Sequence, residues 1–232
     1  MSDSAALKAE VALASRILAK HGSSDLIWGH ASARDPEGRG VWIKQSGWGL
    51  EEVTAERVHL VSREGAVVSG DGPRHGEYPI HTEMMAARPD VGGVVHTHSR
   101  YAVALGANRQ PLRPVSHEAN YFVPPAVPEF TQTADLILTP ELGRALAATL
   151  GGAPAAFIVN HGIVAVGPTI QIAAIAAILL ERASRQQLLT QQYGGQMSWS
   201  DEAESLSKRG HIYTPEAMIQ VWDYLVRDLD KN

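Results

Sequence analysis

Apolar residues follow two periods along the chain, and the switches between them mark out the elements. Leu7, Val11, Ala14 and Leu18 recur at helical spacing and Gly22 stands where a C-terminal cap belongs, which predicts an amphipathic helix over residues 4–21. Val41 to Gln45 reads as a strand. His59 to Ser62 and Ala66 to Ser69 read as a hairpin around Arg63, Glu64 and Gly65, with Thr54 capping a short helix before it. Ile80 to Arg88 suits a helix stopped by Pro89 and Asp90, and Val94 to Thr97 a buried strand. After a proline-rich passage from Pro111 to Pro128, Thr139 and Pro140 open a helix that Gly151 and Gly152 close. Ala156 to Val159 and Ile163 to Val166 are short runs rich in Ile and Val on either side of Asn160, His161 and Gly162. Thr169 to Gln192 is the longest helical stretch, and Thr214 and Pro215 begin a last helix in which Met218, Trp222 and Leu225 share a face.

This is mixed α/β order in which strands often follow one another with no helix between them. An alternating parallel sheet fits poorly, and a largely antiparallel sheet with helices on its faces fits better. Neither G-x-G-x-x-G nor G-x-x-x-x-G-K-[ST] occurs, so nothing supports nucleotide phosphate binding. No repeat or low-complexity linker divides the chain, and residues 1–232 are expected to form a single domain.

Composition narrows the partners. With 44% apolar and 19% charged residues the chain can build a core, and a formal net charge of -5 supplies no basic field for a nucleic acid. There are no cysteines, so any metal must be held by histidine and carboxylate. Met1, Ser2, Asp3 and Ser4 lack the basic and apolar regions of a signal peptide. The apolar run Ile172 to Leu180, bounded by Gln171, Glu181 and Arg182, is far short of a membrane span. A cytoplasmic protein without membrane contact is expected, and an anionic small molecule remains open as its substrate.

The chemistry lies in the histidines. In His96, Thr97 and His98 the strand period of two turns both imidazoles to one face near a strand end, where they can reach one ion. His161 stands at a second strand terminus, from which its side chain can converge on the first pair. Three neutral imidazoles leave an open coordination position, the pattern of a catalytic metal. Glu77, just before a helix, is the carboxylate to place beside them.

The run Gly76, Glu77, Tyr78, Pro79, Ile80, His81, then Arg88, Pro89, Asp90, then Val94, Val95, His96, Thr97, His98, and later Asn160, His161, Gly162, resembles the class II aldolase/adducin family over roughly residues 8–190. That family is typified by fuculose-phosphate and ribulose-phosphate enzymes. The resemblance implies an α/β/α sandwich around a nine-stranded, mainly antiparallel sheet. It also implies a homotetramer with sites near subunit interfaces. It implies that His96, His98 and His161 bind one divalent ion per subunit, Mn2+ or Zn2+ first and Fe2+ or Co2+ as further candidates. Glu77 is then the acid/base, and ligates the metal when substrate is absent.

The departures carry as much as the matches. The sugar-phosphate enzymes hold phosphate with a Gly-Asn pair, a Ser/Thr-Gly pair and two serines before the glutamate. Here these positions are Gly29 and His30, Ser46 and Gly47, and His75 and Gly76 behind Arg74. Arg74, His75, His30 and Lys44 are potentially cationic groups suited to a carboxylate or an acidic hydroxyl. Aligning Phe130 with the loop that carries the aldolases' proton-donating tyrosine puts Val127 or Pro128 at that tyrosine's place, with Tyr121 able to approach from elsewhere. The segment Gly29 to Pro36 looks instead like the branch containing decarboxylases of dihydroxyphthalate or of a hydroxypyridine dicarboxylate. A metal-dependent lyase acting on a hydroxylated aromatic or pyridine carboxylate is therefore expected, with Glu77, His30 and His75 catalytic and Gly29, Ser46, Gly47, Arg74 and Gly76 binding substrate. An aldolase and an adducin-like binding module are the alternatives. His211 and Tyr213, before the last helix, are candidates to complete a neighbouring subunit's pocket.

Overall fold

A computed structural model describes residues 3–194, 196–229 and 231; Met1 and Ser2, part of the signal-peptide reading, lie outside them. The strands are β1 (His30–Arg34), β2 (Val41–Lys44), β3 (Val58–Val61), β4 (Val67–Ser69), β5 (Gly93–Thr97), β6 (Glu129–Phe130), β7 (Ala155–Ile158) and β8 (Gly162–Gly167). They form one sheet in the order β4-β3-β2-β1-β5-β8-β7-β6. Every pairing is antiparallel except β6 with β7. The family resemblance implies nine strands; the described residues form eight, and the proline-rich passage, short of backbone N–H donors, adds none.

The strand period sorts the apolar residues into two layers. Ala31, Ala33, Trp42, Leu60, Val95, Phe157, Ile163 and Ala165 face α1 (Asp3–Leu18), α3 (Arg100–Ala107) and the long central α5 (Ile170–Gln192). Val41, Ile43, Val61, Val94, Ala156, Ile158, Val164 and Val166 face α2 (Tyr78–Ala87) and α4 (Pro140–Leu150). Both faces are covered, which is why the strands are buried nearly throughout and the α/β/α sandwich closes around two cores. Helix α6 (Glu202–Ile212) and helix α7 (Pro215–Leu229) follow, α7 packing its Met218 and Leu225 on the α5 side. Among the described residues no helix is long and apolar enough to cross a membrane.

Most predicted boundaries hold to within a few residues. Thr139 and Thr169 cap α4 and α5 by accepting the Leu142 and Ile172 N–H groups. Helix α2 starts at Tyr78 rather than Ile80, because Pro79 in the first turn needs no helical partner. Four elements escape the periodicity: β1, α3, the two-residue β6 and α6.

Candidate metal centre

Three pieces of chain meet at one end of the central strands. Strand β5 carries His96 on the α2 face beside its cross-strand partner His30 on β1. His98 follows the strand end, the turn between β7 and β8 presents His161, and Glu77 immediately precedes α2. One ligand atom from each of Glu77, His96, His98 and His161 lies within 4.8 Å of the others. The turn is shaped for this: Asn160 adopts φ 61°, and a Cβ on Gly162 would stand 2.8 Å from the His98 ring and 2.6 Å from the Thr97 carbonyl. Glycine is required there for the three imidazoles to converge.

Each donor is oriented from behind. His96 Nδ1 donates to the Ile163 carbonyl at 2.9 Å, and His98 Nδ1 to Asp25 Oδ2 at 2.7 Å. With both Nδ1 hydrogens committed, the two Nε2 atoms face each other at 3.1 Å as lone pairs. Opposed lone pairs at that distance repel, and a cation between them removes the conflict. Glu77 Oε2 lies 3.7 Å from His96 Nε2, and Oε1 lies 3.6 Å from His161 Nε2. Oε1 also accepts the Ile137 N–H at 2.8 Å. This donor set fits a divalent metal ion. His96 is held well below the ordinary imidazole range, chiefly by burial and then by His98 and His161; His161 is pushed down to about 4, by burial first and then by His98. Ligands must be neutral to bind, so these shifts prepare them. Burial pushes the Glu77 carboxyl up, opposed by the Ile137 N–H and by His98. Asp25→Asn is expected to lower metal affinity about 10- to 100-fold by loosening His98, measured by competition with a chelator.

Beside the centre gathers the cradle expected from the sequence, in which two of the four potentially cationic groups are buried imidazoles. His30 and His75 are buried, with ring centroids 4.4 Å apart, and His30 Nε2 lies 3.9 Å from Glu77 Oε2. His75 is pushed down to about 3 by burial, with Lys44 next; His30 is held well below the usual range by burial and then by His75. Of the potentially cationic groups read from the sequence, burial thus disfavours the charged form of these two imidazoles. Lys44, fully buried, donates to the carbonyls of Ile27 and Trp48 and is pushed down to about 8 by burial. It ties the loop ahead of Gly29 to the Ser46–Gly47 loop, and the Ser46 N–H donates to Pro73. Arg74 donates to Gly65 and to the His75 carbonyl and packs on the Tyr78 ring, while Gly76 is exposed at the rim.

Two predicted or implied groups are placed apart within one chain. The Tyr213 hydroxyl donates to the His117 carbonyl, and its ring packs on Tyr121. Val127, at the aldolase tyrosine's position, is buried and apolar, so it cannot donate a proton. Two residues that the site uses received no role from the sequence: Asp25, and His81, whose only signal is a histidine one turn after Glu77 on an otherwise apolar helix start.

A cavity of about 570 Å³ opens onto His98 and His161, bordered by Asp25, Arg100, Tyr101 and Glu181. The neutral imidazoles also set acid sensitivity. His75 and His81 each fall to about 3 through burial, so between pH 6.5 and that value the unfolded chain binds protons that the folded one refuses. Their stability contribution is complete above pH 6.5 and is lost as pH falls. Unfolding free energy of the metal-free protein is expected to drop by about 2 to 3 kcal/mol per pH unit near pH 5 from these two groups, measured by denaturant titration.

A family model described as Class II Aldolase and Adducin N-terminal domain matches residues 9–188. The 3,4-dihydroxyphthalate decarboxylase of Terrabacter sp. is 32% identical over 199 residues, covering 80% of this chain and 81% of its own. The meiotically up-regulated gene 14 protein of Schizosaccharomyces pombe is 29% identical over 210 residues, covering 89% and 77%. The L-fuculose 1-phosphate aldolase from Glaciozyma antarctica superposes with a TM-score of 0.86 at 26% identity, covering 99% of this chain and 90% of that one.

Proposed function

Because the chain belongs to the class II aldolase and adducin family, we propose that it is a metal-dependent carbon–carbon lyase that decarboxylates a hydroxylated aromatic or pyridine carboxylate. The observation that carries this reading is a complete donor set, Glu77 with His96, His98 and His161, beside a cradle in which the buried rings of His30 and His75 stand at two of the family's phosphate-donor positions. The decarboxylase relative supports it. Single N–H or lone-pair contacts from neutral imidazoles suit a carboxylate or an acidic hydroxyl better than a phosphate dianion, which draws on several donors.

His96, His98 and His161 would hold a divalent ion, Mn2+ or Zn2+ by preference, with Fe2+ or Co2+ compatible with the same donors. Bound there, the ion supplies Lewis-acid stabilisation to the electrons released when the bond breaks. Glu77 carries the proton to the ring carbon bearing the carboxylate, ortho to the hydroxyl. The carbon–carboxylate bond then breaks, its electron pair returns to the ring and carbon dioxide leaves. In the metal-free protein burial favours the acid form of Glu77. His75 and the Gly29, Ser46, Gly47, Arg74 and Gly76 rim orient the departing carboxylate and exclude water. In this reading the protein is a cytoplasmic homotetramer, one domain per chain, with Tyr213 serving a neighbouring subunit's pocket.

Aldol cleavage is the second reading, favoured by the retained Ser46 and Gly47 and by the fuculose-phosphate aldolase neighbour. A panel of 3,4-dihydroxyphthalate, other hydroxyaryl and hydroxypyridine dicarboxylates, and L-fuculose 1-phosphate separates the two. Metal-loaded protein is expected to release carbon dioxide from an aromatic acid; turnover of the sugar phosphate alone would sink the decarboxylase reading. An adducin-like binding module would retain no metal on elemental analysis.

A further inference from the structure

His98 and His161 border the cavity of about 570 Å³, which Gly29, His30, Ser46 and His75 of the cradle do not reach. Its size falls in the range of about 300–1,000 Å³ common to small-molecule sites. A molecule held at the ion can therefore extend in two directions, into the cradle and into this cavity.

Besides the two imidazoles, the cavity wall carries Asp25, Glu181 and Arg100. Both carboxylates are already taken up. Asp25 Oδ2 accepts from His98 Nδ1 at 2.7 Å, and the two oxygens of the buried Glu181 accept the Tyr101 and Ala102 N–H groups at 3.1 and 2.8 Å. Arg100 differs. It opens α3 two residues after His98, is exposed, and among the described residues takes part in no ion pair and no hydrogen bond. The Arg185 guanidinium stands 5.5 Å from the centroid of the neighbouring Tyr101 ring and adds positive charge on the same side. Exposure alone gives a guanidinium no task, since water satisfies it. Its place does, because its planar fork of N–H donors stands at a cavity that ends on two metal ligands and whose carboxylates do not compete for it.

We propose that Arg100 grips the carboxylate that the substrate retains, so that the site selects dicarboxylic over monocarboxylic acids. The departing carboxylate lies toward the cradle. A monocarboxylic acid leaves Arg100 without a partner, whereas a dicarboxylic acid presents its second carboxylate to the fork. The selection among substrates rests on the lyase reading above; the anion site at Arg100 does not.

Isothermal titration calorimetry of the zinc-loaded protein with phthalate and with benzoate tests the site without turnover, since neither carries the ring hydroxyl and the two differ by one carboxylate. Phthalate is expected to bind the more tightly. Arg100→Gln is expected to weaken phthalate binding about 10- to 100-fold, the cost of losing a charge-assisted pair of hydrogen bonds, and to leave benzoate binding and zinc content unchanged. Arg100→Lys, which keeps the charge and loses the fork, should recover part of the loss. Phthalate binding no tighter than benzoate, equal loss for both acids in Arg100→Gln, or no loss for either overturns the proposal. In turnover of a hydroxyaryl dicarboxylate, Arg100→Gln is expected to raise KM by a similar factor with kcat nearly constant; a fall in kcat at constant KM marks a structural effect on the metal centre and overturns the gripping role. If phthalate affinity follows Arg100 and no aromatic acid turns over, the lyase reading fails while the anion site stands.

Discussion

Replacing His161 with alanine is expected to yield a folded protein that loses its divalent ion on dialysis and, with it, all measurable turnover. The reason is geometric. The ring reaches the cluster from the β7–β8 turn and meets Glu77 Oε1 at 3.6 Å, and its backbone contact, the N–H donated to Ile158, survives the change. Two imidazoles and a carboxylate remain, a site short of one of its three nitrogen donors. Its affinity should fall well beyond the 10- to 100-fold that loss of an outer partner costs. His96→Ala is expected to do the same with an added cost, since His96 is fully buried and its removal leaves a cavity. Elemental analysis after dialysis, alongside thermal melts with and without added Zn2+, separates metal loss from unfolding. Full metal retention in His161→Ala would remove that residue from the ligand set.

Much of this centre was legible because its elements obey local rules. The His-x-His at the end of an apolar run needs only the strand period to bring two rings together, and His161 before a glycine needs only a turn between two apolar strands. What escaped was decided by tertiary partners. The β1 sequence His-Ala-Ser-Ala-Arg has no β-branched residue; it is a strand because β2 and β5 flank it and because His30 and Ser32 find partners on α2. Helix α3 begins with no side-chain cap of its own and is capped by Glu181 of α5, which accepts the Tyr101 and Ala102 N–H groups. That contact spans about a third of the chain, and no local window contains it. Helix α6 did carry a signal, Asp201 at its N-cap, but an almost wholly polar surface hides its period. The charge state of the cradle was also beyond the sequence. His30 and His75 count as titratable by residue type, and only their burial makes them neutral acceptors and donors.

Glu77→Gln is expected to keep the metal and lose the reaction. The amide oxygen of the substituted side chain can still accept the Ile137 N–H, which Glu77 Oε1 now takes at 2.8 Å, so the approach to α2 should survive. The three imidazoles need no change to hold an ion. What disappears is the group that gives and takes a proton, and loss of a positioned acid/base costs about 100- to 10,000-fold in kcat. The pH profile gives an independent reading of the same residue. In the metal-free protein burial raises the Glu77 pKa. If the protonated carboxyl delivers the proton to the ring carbon, activity of the loaded enzyme is at its full value below the Glu77 pKa and falls as pH climbs through it. This limb should be missing from the residual activity of Glu77→Gln. Metal content equal to that of the unaltered protein with kcat reduced and the limb abolished identifies Glu77 as the acid. Full activity in Glu77→Gln would remove Glu77 from the acid role.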